Sequence, residues 1–104
     1  MFKVSVMYPY EKGAMFDFDY YRTKHMALVE KHMKPFGLIK VGVDQGLSGG
    51  GDAPPPYICV GHLYFNSRNS YEKATAQAGL LLRGDIVNLA DSPDQRDPGL
   101  TARP

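Results

Sequence analysis

The chain has no tryptophan, one cysteine, and no apolar run approaching the ~20 residues that a membrane-spanning helix needs. The single cysteine, Cys59, excludes an intrachain disulfide and any cysteine-based zinc site. A charge excess is missing too. Twelve Lys and Arg against eleven Asp and Glu leave +1, and no basic block offers a nucleic-acid groove or a polybasic membrane surface. The opening Met1-Phe2-Lys3-Val4-Ser5-Val6 lacks the basic, apolar and small-residue succession of a signal peptide and enters a strand pattern at once. Together with the lone thiol, this reads as a chain of the reducing cytoplasm. What is present is ordinary for a globular domain: 104 residues, 43% hydrophobic and 22% charged.

Phe2, Val4, Val6 and Tyr8 alternate with Lys3, Ser5, Met7 and Pro9, a strand with one apolar face. Pro9 and Gly13 end it. Asp17 is a good N-cap for a helix running to about residue 34, with Phe16 and Tyr21 placed to form a hydrophobic staple. Pro35 and Gly37 close that helix, and strands follow at 38–44 and 57–65. A second helix over 67–82 has Tyr71, Ala74, Ala78 and Leu82 on its inner face. The order β-α-β-β-α predicts an α+β, ferredoxin-like split βαβ fold, an antiparallel sheet with two helices on one face. The expected division is a domain over 1–91 and an irregular tail over 92–104. The tail carries three breakers and no alternation, so a fourth strand is not legible there. The glycine- and proline-rich stretch 46–56 leads into a strand rather than a helix, which reads as a loop and not a phosphate cradle.

The informative element is the first helix. At about 100° per residue, Phe18, Tyr21, His25, Leu28, Val29, His32 and Phe36 share one face, with Lys24, Glu30, Lys31 and Lys34 opposite. His25 sits mid-stripe, where an imidazole must find a partner, and Tyr21 and Tyr8 are the candidates. Burial would favour its neutral form, which can act as a base. The pattern alone fits a satisfied core histidine as well as a pocket residue. No carboxylate is evident on the same face. His25 and His32 are seven residues apart, not the four that sets metal ligands on adjacent turns, so no metal and no cofactor are expected. His32 suits the helix C-terminus. Cys59 has no basic neighbour and reads as structural. The short sheet would leave one face apolar and wet, which predicts a homodimer covering Met7 and Cys59.

Lys3-Val4-Ser5-Val6-Met7-Tyr8-Pro9, then Phe16-Asp17-Phe18-Asp19-Tyr20-Tyr21-Arg22-Thr23-Lys24-His25-Met26, resemble the opening of the EthD family, named from ethyl tert-butyl ether degradation. Tyr57 to Phe65 is similar to a further segment, and 84–91 to its "ADIPNYTD" run, with Val87 in place of the proline. The family's last strand has no counterpart in 94–104. The resemblance implies a dimeric α/β barrel in which ferredoxin-like subunits pack sheet against sheet, with a pocket between sheet and helices. It implies His25 as polar anchor or proton shuttle there, with Tyr8, Phe18, Tyr21, Leu28 and Phe36 around a small apolar or aromatic oxygenated compound. Turnover would make it a cofactor-free, monooxygenase-like or isomerase-like enzyme. A non-catalytic accessory, ligand-binding or structural dimerisation protein of the same fold is the alternative.

Overall fold

The computed structural model describes residues 1–90 and 93–103. Strand β1 (Phe2–Pro9) leads to helix α1 (18–33), β2 (Leu38–Gln45), β3 (Tyr57–Phe65) and helix α2 (Arg68–Asp85). A short helix α3 (Pro93–Arg96) and strand β4 (Gly99–Arg103) complete the chain. The strands form one sheet in the order β2-β3-β1-β4, with every neighbouring pair antiparallel. This is the ferredoxin-like split βαβ arrangement, with both long helices on one face. Among the described residues no helix is long and apolar enough to cross a membrane.

Local signals account for most boundaries. The Asp17 carboxylate accepts from Tyr20 N at 2.9 Å, capping α1, and Phe16 packs on Tyr21 with ring centroids 5.8 Å apart. The helix tightens into a 3-10 turn at Lys34–Phe36 and stops at Gly37, whose φ of 106° suits a residue without a Cβ. Ser67 caps α2 by accepting from Ser70 N at 3.1 Å.

One feature of α1 departs from regular periodicity. Tyr21–His25 is a π-helical turn, closed by a hydrogen bond from Met26 N to Tyr21 O. The extra residue advances the buried stripe by about one position beyond the turn. Tyr21, His25, Met26, Val29 and Met33 are therefore buried, whereas Leu28, His32 and Phe36 are only half-buried. An ideal 100° periodicity expects Tyr21, His25 and Val29 inward as found, but Leu28, His32 and Phe36 in place of Met26 and Met33.

The register Val4↔Leu63, Val6↔Gly61, Tyr8↔Cys59 puts these residues on the helix-facing side of the sheet. Cys59 is therefore a core residue, 0% exposed, and not on the opposite face with Met7, where the homodimer expectation set it. Burial pushes its thiol up to about 12, so it stays protonated. The opposite face carries Ser5 and Met7 from β1 and Val60, His62 and Tyr64 from β3.

The tail expectation is also corrected. Gly99–Arg103 pairs with β1 from Lys3↔Arg103 to Met7↔Gly99 and completes the sheet as an edge strand. All five residues are exposed. The strand is held by backbone bonds to an otherwise bare edge of β1 and not by buried side chains, so apolar alternation never signals it. Gln95 Nε2 donates to Pro9 O and Arg96 Nε to Ala90 O, pinning the approach to β4. Asp91, at the end of the 84–91 resemblance, and Ser92 and Pro104 of the expected tail lie outside the described residues.

Candidate functional site

Between the sheet and the helices lies a cavity of about 120 Å³. Val4, Tyr8 and Leu63 line it from the sheet, Tyr21, His25 and Met26 from α1, and Gly79, Leu82 and Arg83 from α2. Leu100 of β4 and the preceding Asp97-Pro98 complete the wall. The structure thus brings Tyr8, Tyr21 and His25 together. Phe18, Leu28 and Phe36 pack against the core outside the lining, Leu28 and Phe36 for the reason the π turn supplies.

His25 is paired, and not with a tyrosine. Its Nδ1 lies 3.0 Å from Asp85 Oδ2, with both side chains largely buried, 7% and 11% exposed. Asp85 Oδ1 accepts from the Tyr20 hydroxyl at 2.8 Å and from Asn88 Nδ2 at 3.0 Å. Burial alone would raise the Asp85 pKa. The donors from His25, Asn88 and Tyr20 outweigh it and hold the carboxyl below its usual range. Burial lowers the His25 pKa, against a smaller upward pull from Asp85. At neutral pH the pair is therefore an ionised carboxylate facing a neutral imidazole. An ionised carboxylate can only accept, so Nδ1 carries the proton and Nε2 keeps its lone pair.

Tyr21 stacks on His25, with centroids 5.2 Å apart and planes at 18°, and meets Tyr8 edge-on at 5.1 Å. The Tyr8 and Tyr21 hydroxyls hydrogen-bond each other, and burial drives both pKa values far above the ordinary phenol. Gly61 makes this possible, because a Cβ there would overlap the Tyr21 hydroxyl. The π turn is the backbone device that lets His25 and Met26 both face inward one turn after Tyr21.

The carboxylate expected to be absent is thus Asp85. Sequence reading ended the second helix at 82, but α2 continues to Asp85. The signal was in the stripe itself: Tyr71, Ala74, Ala78, Leu82 continues by three residues to 85. A second polar chain was also missed. On the open face Ser5 Oγ lies 2.9 Å from His62 Nδ1, and His62 Nε2 lies 2.8 Å from Asp44 Oδ2. Three strands supply one residue each, a juxtaposition that only strand register creates.

The comparisons bear on this geometry. An EthD-like protein of known structure from Ralstonia eutropha is 32% identical, with a TM-score of 0.87 over 98% of this chain and 88% of that one. This chain belongs to the EthD-like family. A member from Bacillus halodurans, named for ethyl tert-butyl ether, superposes with TM-score 0.72 at 19% identity, over 100% and 97% of the two chains. A dimeric ferredoxin-like protein from an uncultured marine organism shares the fold at TM-score 0.57 and 15% identity, over 98% and 90%. Neither a scan against family models nor a search of curated proteins gave a match. The family resemblance read from β1 and the Tyr20–His25 run is thereby shown.

Proposed function

We propose that this EthD-like chain binds a small apolar or aromatic oxygenated compound in the sheet–helix cavity and transfers a proton at His25. The supporting observation is the buried His25–Asp85 pair beside an otherwise mainly apolar cavity. Asp85 fixes the tautomer and stabilises the imidazolium that forms when Nε2 accepts a proton from a ligand hydroxyl or an activated C–H. Tyr8 and Tyr21, bonded to each other and held protonated, shape the wall and do not titrate near neutrality.

Binding without turnover is the second reading. It is favoured by the same tyrosines, since their paired hydroxyls, held protonated, offer no second base beside His25. The homodimer belongs to the proposal as well, set in the reducing cytoplasm. Its interface would be the sheet face carrying Met7, Val60 and Tyr64, with Cys59 withdrawn to the core. The discriminating experiment is His25→Asn in ligand binding and turnover, followed across pH 5 to 8. Loss of turnover with binding and fold retained supports proton transfer. Loss of binding with a retained fold marks His25 as a polar anchor. Unchanged affinity, rate and pH profile would return His25 to the core.

A further inference from the structure

The cavity has an inside and a mouth, and the charge is all at the mouth. Val4, Tyr8, Tyr21, His25 and Val29 are buried lining residues. Thr75, Arg83, Asp97 and Leu100 line the same cavity but are exposed, so they form its rim. On α2 the rim residues Thr75 and Arg83 flank Gly79, whose missing side chain keeps the opening clear. Arg83 stands one turn before Ile86 and two residues before Asp85. Among the described residues neither Arg83 nor Asp97 forms an ion pair. An unengaged guanidinium at the edge of a mainly apolar cavity is a fixed fork for a carboxylate-like group that stays in water while an apolar body enters.

Size narrows the body. An apolar cavity of roughly 150 Å³ takes one benzene ring, and this one is about 120 Å³. Fused ring systems do not fit without rearrangement. A single ring is the upper limit, with its anionic group left outside at the mouth.

Resting on the pocket reading above, we infer that the ligand is a single-ring, or comparably small, hydroxylated organic acid, its hydroxyl at His25 and its anionic group at Arg83. Asp97, an exposed carboxylate lining the same cavity, repels that group and moderates the affinity. A cation near the end of α2 also suits the helix dipole. That role would affect melting temperature and leave ligand selectivity untouched.

The test measures dissociation constants of phenol and 4-hydroxybenzoate by calorimetry at pH 7.5 for the full chain and three variants. Arg83→Gln is expected to weaken 4-hydroxybenzoate about tenfold, as for a lost charge-assisted contact, and phenol less than about twofold. Asp97→Asn is expected to tighten 4-hydroxybenzoate and leave phenol unchanged. Added salt should weaken only the acid, and only when Arg83 is present. His25→Asn should weaken both compounds. Equal effects of Arg83→Gln on both compounds, no effect on either, or weaker acid binding by Asp97→Asn would overturn the assignment while leaving the pocket intact. Wild-type protein that binds neither compound, or phenol affinity indifferent to His25→Asn, would overturn the pocket reading and the inference with it.

Discussion

Asp85→Asn keeps the shape of the carboxylate and changes one proton's worth of chemistry. The new amide oxygen can still accept from Tyr20 and Asn88, which now share Oδ1 at 2.8 and 3.0 Å. The amide nitrogen then faces His25 Nδ1, and two N–H groups cannot hydrogen-bond each other. The imidazole resolves this by moving its proton from Nδ1 to Nε2 and accepting from the amide. The base becomes a donor, so proton abstraction is lost while the fold survives. A charge-assisted hydrogen bond contributes about 1.5–3 kcal/mol and a neutral one about 0.5–1.5, which puts the loss at roughly 1–2 kcal/mol. For a domain of this size that lowers the melting temperature by roughly 5–15 °C. Asp85 also raises the His25 pKa, so its removal must lower that pKa further below the ordinary value. The folded imidazole then binds fewer protons than the unfolded one as pH falls below ~6.5, and stability drops with acidification in both proteins, continuing to lower pH in the variant. Long-range ¹⁵N–¹H NMR of the imidazole between pH 5 and 8 reads tautomer and pKa together. An Nδ1-protonated ring with an unchanged or raised pKa in the variant would refute this account of the site.

Other outcomes follow from the same packing. Gly61→Ala should cost about 1–3 kcal/mol, because its methyl would overlap the Tyr21 hydroxyl and lie 3.1 Å from Met26 Cε; an unchanged melting curve would contradict the tight seat. Ending the chain after Asp97 removes half-buried Pro98 and the exposed strand β4, so unfolding free energy should fall by less than about 2 kcal/mol, since hydrogen bonds and ordering entropy nearly offset. The bared edge of β1 should instead promote self-association, read by light scattering; failure to fold at all would show that β4 is integral to the core. Ser5→Ala removes a hydrogen bond to His62 on the open face, so it should cost about 1 kcal/mol and alter sedimentation without changing ligand affinity. A shift in affinity would mean that the two sheet faces are coupled.

The fold was legible because alternation and capping are local. Phe2 to Tyr8 alternate, Asp17 and Ser67 cap, and these short-range facts suffice for β1, α1 and α2. What could not be read required either a break in periodicity or a distant neighbour. The π turn at Tyr21–His25 has no distinctive composition, and it moved Met26 inward at the expense of Leu28 and Phe36. Asp85 meets His25 across 60 residues of sequence. It was recoverable only by carrying the α2 stripe one step further. β4 rests on backbone pairing with β1, so its side chains carry no trace of it.

The wide turn in α1 also makes the site sensitive to chain length. Removing one residue between Tyr21 and His25 would let the helix close with ordinary four-residue bonds, leaving the residues from Met26 onward in phase but setting His25 three residues after Tyr21 instead of four. Tyr21 could keep its seat over Gly61, or His25 could keep Asp85, but the two could not hold together. Substitutions at Arg22, Thr23 or Lys24, all exposed, should by contrast be tolerated freely. In an alignment of EthD-like chains, a one-residue gap at this point should therefore mark loss of the site more reliably than any difference in residue identity beside it.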